Sequence, residues 1–304
     1  MIKNIIEISN LRKTYGEVRA VDDISFSVKE GEFFAFLGLN GAGKSTTINI
    51  ICGGIKKDSG KVVVDGVNID EDSESFRSKI GVVYQESVLD KSLSVKDNLE
   101  NRAALYGIIN QDYENRLNEI DKLLGIKEIL KKPFGKLSGG QKRKVDIARA
   151  IIHNPKILIL DEPTTGLDPQ TRRTVWQALE TIQKQFGTTI FLTTHYMEEV
   201  TDAHNIVILD GGKIVAQGSP LELKNRFTGD FIRLYHTDEK QVKKLGMPYE
   251  NLPECYKIEV KNTQEATQLI LKYPDIFQDY EITKGKIDDV FLAVTGKKLN
   301  EVSK

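Results

Sequence analysis

The sequence predicts an α/β protein with a mostly parallel sheet, an antiparallel β subdomain, a helical insertion and a small C-terminal α+β appendage. Short apolar segments alternate with helical stretches, a pattern typical of parallel strands joined by helices. Helical spacing interrupts this alternation between about residues 90 and 150, and a new pattern starts near residue 220. The 304 residues are about twice the length of a typical domain. We therefore expect two domains, residues 1–220 and 221–304.

Composition narrows the class of protein. With 39% apolar and 29% charged residues and a mean hydropathy of −0.33, the chain is predicted to be globular rather than disordered. The longest nearly continuous apolar stretch, Phe33–Leu39, is far shorter than the ~20 residues of a membrane-spanning helix. The N-terminal residues lack the apolar core of a signal peptide, and Cys52 and Cys255 form no disulfide or metal-binding pattern. These observations favour a cytosolic protein.

The charge balance bears on possible partners. Lys and Arg number 43 against 44 Asp and Glu, which gives a net charge of −1. Proteins that bind nucleic acid through its phosphates normally carry a basic excess, so no nucleic-acid partner is expected. We interpret a local basic run, Lys142-Arg143-Lys144, as a solvated helix face.

The antiparallel β subdomain is predicted from N-terminal strands and a hairpin. Ile5–Ile8 and Ile24–Val28 are apolar runs bounded by turn residues, as strands are. Lys61–Asp65 and Val67–Ile69 flank an Asp-Gly turn, which favours a hairpin.

The parallel sheet is predicted from apolar runs that helices separate. Glu32–Leu37 is almost continuously apolar, which is typical of a strand buried on both faces. Helices are expected around residues 171–186 and 197–202. Further strands are predicted at Gly81–Tyr84, Ile157–Leu160, Thr189–Thr193 and Ile206–Asp210.

The insertion and the appendage show their own patterns. Tyr113, Leu117, Ile120 and Leu124 have helical spacing within the insertion. A hairpin is expected at residues 211–218. Beyond it, strands are predicted at Phe231–Tyr235, Tyr256–Val260 and Tyr280–Ile282, and helices at Gln264–Lys272 and Ile287–Val294.

A glycine-rich loop after the first buried strand fits G-x-x-x-x-G-K-[ST] and opens a predicted helix. In this context its backbone amides are expected to bind phosphate groups, rather than to form an ordinary strand–helix turn. Lys44 would reach the β- and γ-phosphates, the Ser45 hydroxyl would ligate Mg²⁺, and Thr46 would lie near the α-phosphate. The residues of this phosphate loop are Gly38, Leu39, Asn40, Gly41, Ala42, Gly43, Lys44, Ser45 and Thr46.

Two acids follow an apolar strand, where ligands bind in open α/β sheets. Asp161 is predicted to hold Mg²⁺, directly or through water. Glu162 is predicted to polarise the attacking water as a general base or an orienting group. The alternative is a solvated acidic pair that closes an edge strand.

A second glycine cluster precedes a predicted helix at Lys142–His153. Ser138, Gly139, Gly140 and Gln141 could form a simple helix cap, or a second anion-binding helix start. Because the phosphate loop already serves one nucleotide, a second such start makes sense if it completes the nucleotide pocket of another molecule.

With these motifs in this order, residues 3–220 resemble the nucleotide-binding subunits of ATP-binding cassette (ABC) transporters, a P-loop NTPase family with a RecA-like fold. The resemblance implies a cassette that dimerises head to tail, with each ATP between the phosphate loop of one subunit and Ser138–Gln141 of the other. One departure is Leu39, where the family usually has proline; little effect is expected. The matching positions are Tyr15, Gly38–Thr46, Gln85, Leu137–Gln141, Ile157–Glu162, Asp168 and His195.

The resemblance also implies roles that the isolated residues leave open. Tyr15 would stack on adenine, although alone it could be a core aromatic. Gln85 would reach Mg²⁺ and the attacking water, although alone it could be a solvated amide. His195 would contact the γ-phosphate, although alone it could be a core histidine. Asp168 would be one of the nucleotide-binding residues.

The predicted function is that of an ATPase subunit that drives a separate integral-membrane permease. The tail Ile287–Gly296 resembles that of exporter-type ATPases for drug, antibiotic, lipid or polysaccharide efflux. A pair made of two copies of this chain is a simpler expectation than a pair with a related cassette. Through the permease, the pair is expected on the cytoplasmic face of the cell membrane. The rivals are a soluble cassette ATPase that acts on ribosomes or DNA and a regulatory module without turnover. The single cassette and the absence of long heptads weigh against the first, and intact Glu162 and His195 against the second.

Overall fold

The computed structural model describes residues 3–297, without the side chains of residues 73 and 74. The chain divides into two compact units, the first ending at Ile214 and the second beginning at Val215. The fold class predicted from the sequence is confirmed: a mixed sheet of mostly parallel strands is accompanied by antiparallel sheets. Between residues 3 and 297, no helix has both the length and the apolar character needed to cross a membrane.

The first unit alternates strands and helices. Three short 3-10 turns, Lys127–Ile129, Phe134–Lys136 and Met197–Val200, connect some of them. The last of these is the helix predicted around residues 197–202; it is a 3-10 helix and ends at Val200, earlier than predicted. The elements are β1 (Asn4–Tyr15), β2 (Val18–Lys29), β3 (Phe33–Leu37), α1 (Lys44–Ile51), β4 (Ser59–Val64), β5 (Val67–Asn68), α2 (Ser73–Arg77), β6 (Ile80–Val83), α3 (Val95–Ala104), α4 (Asn110–Leu124), α5 (Gly139–Ile151), β7 (Ile157–Asp161), α6 (Pro169–Phe186), β8 (Thr189–Thr194) and β9 (Asn205–Asp210).

The main sheet places the ends of its buried strands side by side. With β10 (Lys213–Gly218) at one edge, its order is β10-β9-β3-β8-β7-β6. β3 pairs in parallel with β8 and β9, and β7 pairs in parallel with β8 and β6. Every residue of β3, β7 and β8 is buried, which explains why β3 and most of β7 are apolar. The carboxyl ends of β3, β7 and β8 therefore meet at one edge.

An antiparallel sheet of order β2-β1-β4-β5 packs into the same core. Phe26 of β2 stacks on Phe34 of β3 with ring centroids 5.4 Å apart, and Phe36 and Phe191 complete the aromatic cluster. Large rings with offset or tilted geometry make this contact a major source of buried apolar surface. The cluster fixes β3, and therefore the start of the phosphate loop, against the antiparallel sheet.

The helical insertion comprises α3 and α4, followed by α5. The side chains of Tyr113, Leu117, Ile120 and Leu124 are all buried, as their spacing along α4 predicts. α5 packs against α3, α4 and β6, so the helix that begins at Gly139 is anchored along its length.

The second unit is a small α+β fold around an antiparallel sheet of order β12-β13-β11-β14. Ile232 and Leu234 of β11 and Ile258 and Val260 of β13 are buried at alternate positions and form its core. α7 (Pro220–Phe227), α8 (Glu239–Lys243) and β12 (Tyr249–Asn251) had no counterpart among the predicted elements. The unit contains α7 (Pro220–Phe227), β11 (Asp230–Tyr235), α8 (Glu239–Lys243), β12 (Tyr249–Asn251), β13 (Cys255–Val260), α9 (Thr263–Lys272), β14 (Tyr280–Lys284) and α10 (Ile287–Thr295).

Candidate functional site

The phosphate loop connects the carboxyl end of β3 to the start of α1. Gly43 has a φ of +103°, and a Cβ there would lie 2.3 Å from the carbonyl oxygen of Ala20, so only glycine fits. No side chain forms a hydrogen bond as a cap at the start of α1. The first amides of this helix therefore remain available to an anion, where the helix dipole also favours negative charge.

Lys44 is the buried cation of this loop, with 4% of its surface exposed. Its Nζ donates to the carbonyl oxygens of Gly38 at 2.7 Å and of Leu39 at 3.2 Å. The same Nζ lies 3.3 Å from Oε1 of Glu162. Burial lowers the pKa of Lys44, which the nearby carboxylate partly opposes. A phosphate group could therefore replace these neutral carbonyl partners with an anionic one.

Asp161 is the last residue of β7 and faces the start of α1. Its Oδ1 accepts a hydrogen bond from Thr193 Oγ1 at 2.6 Å and lies 3.3 Å from the Ser45 hydroxyl, which also donates to it. Two hard oxygen ligands are thus adjacent, beside the amides expected to bind phosphate. Mg²⁺ is usually held by one or two protein oxygens together with substrate phosphates and water, so these residues fit it.

Glu162 follows β7 in a strained conformation, with a φ of +47°. Its Oε2 lies 3.2 Å from Nδ1 of His195 and accepts a hydrogen bond from Thr165 Oγ1 at 3.3 Å. Burial acts to raise the pKa of Glu162, but Lys44 and His195 together hold it below its usual value. The site therefore holds a carboxylate between a buried ammonium and an imidazole.

Three other residues were predicted for the site: Tyr15, Gln85 and Asp168. Tyr15 is 47% exposed at the end of β1, and Lys13 Nζ lies over its ring, 5.3 Å from the centroid. Gln85 is exposed in the segment that follows β6. Asp168 caps α6: its Oδ1 accepts a hydrogen bond from the Thr171 amide at 3.0 Å.

The second glycine cluster, Ser138–Gln141, which we call the signature segment, forms the start of α5. The Ser138 hydroxyl accepts from the Gln141 amide at 3.4 Å, and the Gln141 side chain accepts from the Ser138 amide at 3.1 Å. A Cβ on Gly140 would lie 2.4 Å from Cγ2 of Thr171, so α5 and α6 approach closely there. Ser138 and Gly139 are exposed.

The structure gathers part of the predicted site. Lys44, Ser45, Asp161, Glu162 and His195 are linked by the contacts above, whereas Tyr15, Gln85 and Ser138 present exposed surfaces. Sequence reasoning missed Thr193, which supports both acids: the Glu162 amide donates to its carbonyl oxygen at 3.1 Å and lies 3.2 Å from its Oγ1. Its position one strand away from the acids, two residues before His195, was the available signal.

The interpretation of Lys142-Arg143-Lys144 as a solvated face was wrong for its central residue. Arg143 is 6% exposed and donates to the main-chain oxygens of Tyr84 at 2.7 Å and Gln85 at 3.1 Å. Only the two lysines are partly exposed. Adjacent residues on a helix point about 100° apart, so a basic run need not share one environment.

Comparisons with known proteins agree with this geometry. The family model described as "ABC transporter" matches residues 21–165. The Nod factor export ATP-binding protein I of Rhizobium etli is 34% identical over 315 residues, covering 99% of this chain and 96% of that protein. The linearmycin resistance ATP-binding protein LnrL of Bacillus subtilis is 40% identical over 231 residues, covering 75% of this chain and 73% of that protein.

Solved structures are similar to the larger part of the chain. The structure of cbiO1 from Clostridium perfringens, part of the ABC transporter complex cbiONQ, has a TM-score of 0.67 and 33% identity, covering 73% of this chain and 91% of that one. The dimeric post-hydrolysis structure of the ATP-binding cassette MJ0796, bound to ADP and Pi, has a TM-score of 0.65 and 30% identity, covering 70% of this chain and 98% of that one. The chain therefore belongs to the ABC transporter family, as one of its ATP-binding, ATP-hydrolysing subunits.

Proposed function

We propose that this chain hydrolyses MgATP between two head-to-tail cassettes and thereby drives export through a separate permease on the cytoplasmic face of the membrane. One observation carries the proposal. The buried ammonium of Lys44 lies 3.3 Å from Glu162, and Glu162 lies 3.2 Å from His195, at the edge of the sheet where β3, β7 and β8 end. This arrangement can bind a phosphate and act on a water molecule beside it.

Binding begins with the open amides of the phosphate loop and with Lys44. The ammonium exchanges its main-chain oxygens for phosphate oxygens, and Tyr15 offers its exposed ring to the adenine base. Ser45, Asp161 and Gln85 are the residues that would hold Mg²⁺. The ion neutralises charge on the phosphates when it is bound.

Hydrolysis then depends on Glu162. Its carboxylate accepts a proton from the attacking water as the water oxygen bonds to the γ-phosphorus and the bond to the β-phosphate oxygen breaks. Lys44 holds the pKa of this carboxylate low in the nucleotide-free chain, so transfer of the ammonium to phosphate makes Glu162 a stronger base. His195, whose Nδ1 lies 3.2 Å from the carboxylate, would donate to the γ-phosphate.

Two cassettes are included in the proposal because the signature segment is an exposed helix start. Its amides and the Ser138 hydroxyl suit a γ-phosphate presented by another subunit. The chain carries both the phosphate loop and the signature segment, so two copies can form two complete sites. The dimeric form of MJ0796 supports such a pair.

The named relatives support the two parts of the proposal that concern export and a separate permease. Proteins for Nod factor export and linearmycin resistance match most of the chain, and no helix within residues 3–297 could span a membrane. The printed names of these relatives, ATP-binding proteins for export and resistance, support a separate membrane subunit as the partner. Purification with ribosomes and without a membrane protein would contradict this part of the proposal.

The decisive variant is Glu162→Gln, which keeps the volume of the side chain but removes its capacity to accept a proton at neutral pH. ATP binding should remain, hydrolysis should fall by about 10²- to 10⁴-fold, and an ATP-bound dimer should accumulate. Phosphate release and size-exclusion chromatography with ATP measure these outcomes. Glu198→Gln, at an exposed acid nearby, is the matched control and should behave as wild type. Near wild-type phosphate release by Glu162→Gln would remove Glu162 from the reaction.

A further inference from the structure

A pair of buried charged side chains on α5 is bonded to the segment that carries Gln85. Arg143 and Asp146 lie one helical turn apart and expose 6% and 4% of their surfaces. Arg143 donates from Nη1 to the main-chain oxygen of Tyr84 at 2.7 Å and from Nη2 to that of Gln85 at 3.1 Å. Asp146 accepts from the Ser87 hydroxyl at 2.6 Å. The chain is therefore tied to α5 on both sides of the Gln85 side chain.

The same guanidinium also reaches Glu162. Its Nη2 donates to the main-chain oxygen of Glu162 at 3.4 Å, while the amide of Glu162 is held by Thr193. Both peptide groups that flank the strained Glu162 Cα are thereby bonded to other segments. A residue with a φ of +47° keeps that conformation only where its surroundings fix it.

We propose that Arg143, supported by Asp146, is a positioning residue that fixes the Glu162 main chain and the Gln85 segment relative to the signature segment. The inference rests on the roles proposed above for Glu162 and Gln85. Arg143 would not touch ATP. It would hold the residues that act on the water, and it would make residues 84–87 move together with the start of α5.

Arginine is chemically suited to this task. A planar guanidinium donates in several fixed directions, whereas a lysine ammonium is a compact charge that cannot reproduce this fork. The buried carboxylate of Asp146 supplies a compensating charge on the next turn of the same helix. Burial lowers the pKa of Arg143, and the Asp146 carboxylate acts in the opposite direction, which favours the cation.

The first test compares Arg143→Met and Arg143→Lys with Lys144→Met, a partly exposed neighbour on the same helix. Steady-state ATPase assays give kcat and KM, nucleotide titration gives ATP affinity, and thermal unfolding gives Tm. In Arg143→Met, kcat should fall by about 10- to 100-fold, because small misplacements of reacting groups have effects of this size. ATP affinity should stay within about twofold, since the phosphate loop is unchanged. Lys144→Met should match the wild type.

Arg143→Lys keeps the charge and therefore protects the fold if the methionine variant is unstable. Its kcat should fall by about 3- to 10-fold, because some of the hydrogen bonds to main-chain oxygens are lost. The inference would be overturned if Arg143→Lys has the wild-type kcat and Arg143→Met either also has the wild-type kcat or does not fold. So would a loss of ATP affinity and Tm in proportion to the loss of kcat, because that result indicates a merely structural role.

A double-mutant cycle distinguishes this inference from the proposed function. If Arg143 acts through Glu162, then Arg143→Met should reduce the turnover of Glu162→Gln by less than about threefold. Fully additive losses would overturn the inference. Near wild-type turnover of Glu162→Gln alone would overturn the proposed function and this role with it. Wild-type turnover of Arg143→Met beside an inactive Glu162→Gln would overturn only the role of Arg143.

Discussion

Two helices of the first unit begin at glycine-rich turns, and their starts are built in opposite ways. α1 follows Gly43 without a side-chain cap, and its first residue, Lys44, is 4% exposed. α5 follows Ser138, which forms a reciprocal capping box with Gln141 and is exposed. The amides at the start of α1 receive no side-chain cap and lie beside a buried cluster of charged groups. The start of α5 lies at the surface, where its own capping box forms hydrogen bonds with the backbone amides.

This difference indicates how the two starts would use a nucleotide. The start of α1 already has a cation, two acids and an imidazole around it, so one chain can bind ATP there. The start of α5 has no such cluster and is stable without a ligand because its own cap satisfies it. We therefore expect changes at the first residue of α1 to abolish ATP binding by a single chain, and changes at Ser138, which caps α5, to affect the pairing of two chains.

The largest expected effect is that of Lys44→Ala. It removes the buried ammonium, whose charge-assisted hydrogen bond to phosphate contributes about 1.5–3 kcal/mol or more. ATP binding by the isolated chain, followed by fluorescence of a nucleotide analogue, should fall below detection, and turnover should be lost. Lys142→Ala, near the start of α5, is the control and should retain ATP binding. Undiminished ATPase activity in Lys44→Ala would show that the phosphate loop is not the working site.

An intermediate effect is expected for Ser138→Arg, which should leave ATP binding by one chain intact. The added cation would occupy the exposed helix start, so ATP-dependent dimerisation and turnover should be lost. Sedimentation velocity with and without ATP in the Glu162→Gln background measures this.

The control for this variant is Ser219→Arg, because Ser219 forms the same kind of capping box with Glu222 at the start of α7. Both variants lose a cap, which costs about 1 kcal/mol of stability, but only the first alters the signature segment. An ATP-dependent dimer with normal turnover in Ser138→Arg would contradict the assignment of this segment to the partner's nucleotide.

The smallest expected effect concerns the far ends of the two helices. Burial raises the pKa of Cys52, which follows α1, to about 12, so this end keeps its neutral thiol across the physiological range. Burial, together with Arg102, lowers the pKa of His153, just beyond α5, to about 4. Its ring stacks on Tyr106 with centroids 4.0 Å apart, and its Nε2 lies 3.2 Å from the oxygen of Ile80.

The sign of the resulting pH dependence follows from linkage. Between about pH 6.5 and 4, the unfolded chain binds a proton at His153 that the folded chain does not, so stability decreases as the pH falls. From pH 7.5 to 5 this residue should account for a loss of about 1–2 kcal/mol in the free energy of unfolding. His153→Gln should show a shallower decrease in denaturant titrations than His236→Gln, whose side chain is 87% exposed. Equal decreases in the two variants would contradict the prediction.

Much of the site could be predicted because the residues that carry its chemistry lie in short, continuous stretches of the sequence. The phosphate loop needs glycine at Gly43 and a lysine beside it, and both lie within one turn between a strand and a helix. Asp161 and Glu162 end an apolar run, and the parallel order of such runs brings their ends together. The roles of Gln85, Tyr15, His195 and Asp168 came from the resemblance to a family, and they remain predictions.

The sequence by itself determined the α/β class, the positions of the main strands along the chain and the position of the phosphate loop, because local periodicity and turn chemistry specify these features. Only the tertiary structure decided that Arg143 is buried between two lysines, that Thr193 supports both acids, and that Lys44 rests on Gly38 and Glu162. These contacts join residues up to 118 positions apart, from Lys44 to Glu162, so a pattern within a short segment cannot predict them. Burial and hydrogen-bond partners depend on which segments meet in the fold, and that is settled by packing of the whole unit.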